Sequence, residues 1–139
     1  MKNYTSRNRH KYYLKAHLIF VCKYRKQLLT GDIDKAVKSC FSEVSENSRF
    51  NIDIMESDKD HIHLLVSYSP DISITSIVRI LKQKSTHQLW EVYPSFLKKH
   101  FWKEHTFWSD GYVVCSIGVA NLDTIRKLLT RDDGIHPID

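Results

Sequence analysis

The chain has 139 residues, the length of one ordinary domain, and its 42% apolar and 27% charged residues with only four glycines and three prolines exclude a disordered or fibrous protein. Lys and Arg outnumber Asp and Glu by 21 to 16, a net charge of +5 that favours a polyanionic partner without requiring one. The three cysteines, Cys22, Cys40 and Cys115, are odd in number and far apart, which excludes a disulfide framework and a zinc knuckle and fits a reducing cytoplasm.

In chain order, the basic lead Lys2 to Lys11 has no apolar stretch behind it of the kind that marks an export signal. No apolar run approaches the ~18 residues that span a bilayer, so a cytoplasmic protein without a membrane partner is expected. Tyr13 to Val21 alternates as a first strand and runs into the basic turn Lys23-Tyr24-Arg25-Lys26. After Gly31-Asp32, the residues Ile33, Ala36, Val37, Cys40, Phe41 and Val44 recur at three and four, predicting an amphipathic helix that ends near Asn47. Phe50 to Met55 alternates strictly as a second strand. A polar link, Glu56 to Lys59, leads to a third strand from His61 to Tyr68, which should pair antiparallel with the second.

Pro70 and Asp71 break the chain, and Ser73 can cap a helix that buries Ile74, Ile77, Val78, Leu81, Leu89 and Trp90 and shows Arg79, Lys82 and Lys84 outside. Tyr93 to Lys103 is aromatic and basic without clear period. A last strand is expected around Tyr112 to Ile117 and a final helix from Thr124, capped by Asn121 or Asp123. The order β-α-β-β-α-β-α, with no repeat or linker, predicts one domain over 1–139 of the α+β class: a ferredoxin-like antiparallel sheet with helices on one face.

Chemistry concentrates in Asp60-His61-Ile62-His63-Leu64-Leu65-Val66. On a strand, residues two apart share a face, so both imidazoles project together while Ile62, Leu64 and Val66 enter the core. Two neutral imidazoles side by side can hold one divalent metal; a solvent-facing pair with no ligand is the ordinary alternative.

The string Asp58 to Val66 resembles the His-hydrophobic-His motif of the IS200/IS605 transposases, the single-tyrosine HUH-type mobile-element endonucleases. Phe20 to Lys26 is similar to that family's first strand and "KYR" turn, Ile80 to Ser85 to its "LKGKS" helix, and Phe107 to Gly118 to its last strand. The similar strings fall in family order over about residues 12 to 128. The resemblance implies a homodimeric enzyme that binds hairpins in single-stranded DNA. Its two histidines and a glutamine on the last helix would hold Mg²⁺ or Mn²⁺, and a tyrosine would cut and rejoin the strand through a 5′-phosphotyrosine intermediate.

The sequence departs from the family at that tyrosine. Aligned on Thr124-Ile125-Arg126-Lys127, Leu128 takes the place of the nucleophile and Asp132 that of the glutamine. The seven tyrosines are at 4, 12, 13, 24, 68, 93 and 112, none of which can slide into register. Asp132 is either a third metal ligand, since a carboxylate suits Mg²⁺ or Mn²⁺, or an ordinary surface aspartate. Similarity stops after Lys127, and the altered segment 128–139 resembles what a frameshift leaves in a mobile-element gene.

Lys23, Tyr24, Arg25 and Lys26 on the turn and Arg79, Lys82 and Lys84 on the helix are candidate DNA contacts, against a reading as solvated charge. Trp90, Tyr93, Phe96, Phe101, Trp102, Phe107 and Trp108 can stack on bases, though most of them suit a core better. Whether the chain is an enzyme is left open by Leu128. The expectations are a transposase with its nucleophile absent, or a catalytically inactive single-stranded-DNA binder or regulator derived from one. An RNA-binding module of similar topology fits less well, because the third strand shows histidines where such a module shows aromatics.

Overall fold

In the computed structural model the described residues are 14–116. The strands are β1 (Leu14–Val21), β2 (Phe50–Asp58), β3 (His61–Tyr68) and β4 (Val113–Ser116), and the helices are α1 (Gly31–Glu46), α2 (Ile74–Val92) and the short α3 (Pro94–Lys98). A single 3-10 turn covers Lys23–Arg25 directly after β1. The strands form one sheet in the order β2-β3-β1-β4, with every neighbouring pair antiparallel. The ferredoxin-like α+β arrangement expected from the sequence is present. α1 makes the crossover that sets β2 parallel to β1, with β3 between them.

The core lies on one face of the sheet. Ala16, Leu18 and Phe20 of β1 and Ile62, Leu64 and Val66 of β3 meet Ile33, Val37 and Phe41 of α1 and Ile77, Leu81 and Leu89 of α2. These are the period-two and period-three-to-four positions of the sequence, and each fully buried side chain contributes roughly 1.5–3 kcal/mol. Phe20, Phe41 and Trp108 form its aromatic centre, with ring centroids 5.7 to 6.0 Å apart. Trp108 is held there by its indole N–H, which donates to Ser85 Oγ at 2.9 Å. Of the seven aromatics offered for base stacking, Trp90, Phe101, Phe107 and Trp108 are therefore core.

Ser73 caps α2 as expected, its hydroxyl accepting from the Ser76 amide at 3.1 Å. Pro94, which has no N–H to continue the ladder, closes α2 after Val92 and opens α3 in the segment that showed no period. No helix among the described residues is long and apolar enough to cross a membrane.

The second strand differs from expectation in length and phase. Glu56, Ser57 and Asp58 are not a link but the end of β2, paired with His63, Ile62 and His61. Their polarity is tolerated because β2 is an edge strand. A bulge between Ile52 and Ile54 breaks the strict alternation: Ile52 and Met55 both face the core, and Ile54 turns to the other side, where it is exposed. The extra residue, Asp53, accepts from Ser67 Oγ at 3.3 Å and pairs with Lys15 at 3.6 Å. The hairpin closes through Lys59 at φ 57, followed by Asp60. The final helix expected from Thr124, with Leu128 and Asp132, lies outside the described residues.

Candidate metal centre and nucleic-acid interface

Because Ile62, Leu64 and Val66 enter the core, His61 and His63 share the opposite face of β3, as their spacing requires. The register sets His63 between Ile19 of β1 and Glu56 of β2, and His61 between Val21 and Asp58. The same register brings in a third imidazole. His17 is opposite Leu65, one step diagonally from His63, and its Nδ1 lies 2.6 Å from His63 Nε2. The ring centroids are 4.8 Å apart with planes inclined by 20°, so the imidazoles meet nearly edge to edge.

Burial lowers the pKa of both rings from the ordinary 6.5; at His63 the neighbouring His17 lowers it further, against an opposing pull from Glu56. Both are neutral at pH 7, and one ring must donate an N–H to the other. His63 Nδ1 is buried, has no hydrogen-bond partner and lies 3.8 Å from Glu56 Oε1; in the tautomer in which His63 Nε2 donates to His17, Nδ1 carries the lone pair that a divalent cation takes.

His61 is oriented in a comparable way. Its Nδ1 lies 2.9 Å from Asp60 Oδ1, while Asp60 Oδ2 is 3.2 Å from an Nη of Arg25. A carboxylate behind an imidazole fixes its ring and raises its basicity at the other nitrogen. His61 and His63 thus each have one nitrogen fixed by a neighbour and one without a hydrogen bond among the described residues, a donor set that fits a divalent metal. Among the described residues, no group of three His, Cys, Asp or Glu side chains could hold the ion. The third ligand expected at Asp132 lies outside them.

The basic turn is built against this site. Cys22 donates its backbone N–H to Asp60 O at 2.9 Å, and Leu29 donates to Lys59 O at 2.8 Å, so Lys23, Tyr24, Arg25 and Lys26 flank the start of β3. Arg25 faces Asp60, and Lys23 pairs with Asp110 at 3.7 Å. The cations of α2 are placed elsewhere. α2 packs on the core face, so exposed Arg79 and Lys84 lie across the sheet from the histidines. Lys82 and Lys84 do not share a helix face either: at about 100° per residue they are roughly 160° apart, and Lys84 is roughly 140° from Arg79. Lys82 Nζ donates to the carbonyls of Ser109 and Gly111, both at 2.7 Å, and holds that turn; Lys84 lines a groove with Glu43, Val44 and Asn47 of the α1 end.

Two members of the site escaped sequence reasoning. His17 gave a signal only through its parity, since Ala16, Leu18 and Phe20 inside put it on the outer face of β1. Asp60 was part of the motif but had no role until Arg25 was seen beside it.

Comparison with known proteins bears on this arrangement. The profile described as IS200-like transposase matches residues 10–131. The chain is 30% identical over 118 residues to the ISDra2 transposase TnpA of Deinococcus radiodurans, covering 85% of this chain and 83% of that protein. It is 33% identical over 121 residues to the transposase for insertion sequence element IS200 of Salmonella typhimurium, covering 85% and 78%. Among solved structures, one from Deinococcus radiodurans described as a transposase superposes with a TM-score of 0.74 at 24% identity, over 88% of this chain and 92% of that one. A REP-associated tyrosine transposase bound to a REP hairpin superposes with a TM-score of 0.55 at 16% identity, over 88% and 71%.

Proposed function

The chain belongs to the IS200-like transposase family, and from that premise we propose that it binds hairpins in single-stranded DNA with a divalent metal at His61 and His63 but does not transfer strands. The observation that carries the reading is the histidine pair itself: two imidazoles on one strand face, each fixed at one nitrogen, with His63 Nδ1 buried and without a hydrogen-bond partner. Mg²⁺ or Mn²⁺ is the ion proposed, with Asp132 as the third ligand. When bound, such an ion polarises a phosphoryl oxygen of the scissile ester. Asp60 and Arg25 orient His61, His17 orients His63, and the turn Lys23 to Lys26 supplies cations for the phosphates beside them. The hairpin partner, the homodimer and the cytoplasmic setting come to this chain from the family.

The missing step is nucleophilic attack. Leu128 stands at the family's tyrosine position, and a branched alkyl group has no lone pair to offer phosphorus. Of the tyrosines in described positions, Tyr24, Tyr68, Tyr93 and Tyr112, none is hydrogen-bonded to His17, His61 or His63. The chain is thus a DNA-binding derivative of a strand transferase, able to occupy its sites without opening them.

Two measurements test the reading. Titration with Mn²⁺, followed by the loss of free-ion electron-resonance signal, should show one site that is lost in His61→Ala and weakened in His63→Ala. Native-gel retardation of single-stranded hairpin oligonucleotides should accompany it. Mn²⁺ binding unaffected by both substitutions would overturn the ligand assignment, and absence of retardation would overturn the DNA reading.

A further inference from the structure

The basic turn holds an aromatic residue whose placement the fold does not require. Tyr24 has φ 60 and Arg25 φ 53, consecutive left-handed residues in a turn that contains no glycine. A bulky residue there is strained. The strain is not offset by packing, since Tyr24 is 70% exposed and its ring centroid lies 6.4 Å from that of Phe101. Trp102, immediately after Phe101, is 73% exposed. Tyr24 and Trp102 line one open depression of about 250 Å³ with His100, Phe101, Lys103 and Glu104. Lys103 Nζ lies 4.9 Å from the Trp102 ring centroid and Lys23 Nζ 5.7 Å from that of Tyr24. Lys26 and Lys99 are close enough to His100 to act on it as charges.

We infer that this depression is a stacking platform for unpaired bases of single-stranded DNA. An indole and a phenol in water, each with an ammonium over its ring, provide π-faces for bases and cations for the phosphates between them. Among the described residues Glu104 is the one acidic side chain lining the depression, and Asp110 pairs with Lys23 beside it; with Lys103, Lys26 and Lys99 the charge still suits a polyanion rather than a basic peptide. Strain at an exposed aromatic is the pattern of a residue placed for a ligand and not for the core. The inference rests on the DNA-binding reading above and adds the contact by which unpaired strand is distinguished from duplex.

The test compares oligothymidylate with an abasic phosphodiester strand of equal length, by fluorescence anisotropy of an end label. Stacking of one base predicts that Trp102→Ala loses about tenfold in affinity for oligothymidylate and nothing for the abasic strand. Trp102→Phe should retain most of the affinity. It should lose the quenching of tryptophan emission on binding, because the other two tryptophans, Trp90 and Trp108, are buried with their indole N–H groups bonded inside the protein. Tyr24→Gly, which relieves the backbone, should keep or raise the melting temperature while weakening oligothymidylate binding severalfold.

Unchanged oligothymidylate affinity in Trp102→Ala and Tyr24→Gly would overturn the platform while leaving the DNA reading intact. Equal losses on both strands would also overturn it, since they would show a charge effect. So would a Trp102→Ala variant whose sedimentation changes and whose DNA affinity does not, because that would assign the face to a second copy of the chain. Failure of the unaltered protein to bind any of these strands or a hairpin would overturn the DNA reading as well.

Discussion

In the proposed metal site His63 is a ligand and His17 is what holds it. The 2.6 Å contact between His17 Nδ1 and His63 Nε2 engages one ring nitrogen of His63 and leaves the other, buried and without a hydrogen-bond partner, for the proposed cation. Loss of such a supporting partner ordinarily weakens metal binding about 10- to 100-fold. His17→Ala should therefore reduce Mn²⁺ affinity by that order with a near-native circular dichroism spectrum, and His17→Asn should recover part of it. The pair also sets a pH dependence. Burial holds both histidines below 6.5, so as pH falls through that value the unfolded chain takes up protons before the folded one does. Stability is then fully present above about pH 6.5 and declines below it, until the folded rings protonate in turn. Urea midpoints in metal-free buffer should fall between neutral pH and about pH 5, and the fall should be shallower in His63→Gln.

The histidine pair was legible because a spacing of two on an alternating strand fixes a shared face whatever the neighbours are. His17 was not, because its meeting with His63 depends on the β1–β3 register, which the cores of both strands settle together. Arg25 shows the same limit: its charge was plain, but its partner, Asp60, is 35 residues away.

At the scale of elements, the amphipathic helices and the Ser73 cap follow from local pattern and could be read directly. Their energies are of different size. Phe41, fully buried against Phe20 and Trp108, should cost about 3–5 kcal/mol when cut to alanine. Ser73→Ala, at an exposed cap, should cost about 1 kcal/mol. Chemical denaturation that ranks the two otherwise would contradict the packing described. β2 was harder to read, since the Asp53 bulge reverses the phase of Ile54 and Met55, and no side-chain type announces a bulge in a run of alternating apolar residues. The polar end Glu56 to Asp58 looked like a link because edge strands do not need apolar side chains; it is held by pairing with His63, Ile62 and His61.

At the scale of the molecule, two sets of cations lie apart. The turn Lys23 to Lys26 flanks the start of β3, where Arg25 meets Asp60 beside His61, and α2 with Arg79 and Lys84 packs on the core face. If DNA runs over the turn, log affinity should fall linearly with log salt, with a slope near −0.7 for each phosphate contacted by a single strand. Lys26→Ala should make that slope shallower by about one such contact, and Lys84→Ala should leave it unchanged. A slope altered by Lys84→Ala and not by Lys26→Ala would move the DNA path across the sheet.

Occupancy without cleavage is tested by denaturing electrophoresis of the protein after incubation with labelled single-stranded hairpin DNA and Mn²⁺. The unaltered chain should retard the DNA on a native gel and leave no covalent protein–DNA band on the denaturing one, while Leu128→Tyr should produce that band and lose it again when His61 is replaced by alanine. A covalent band from the unaltered chain would contradict it, because a residue other than the one at position 128 would then attack the strand.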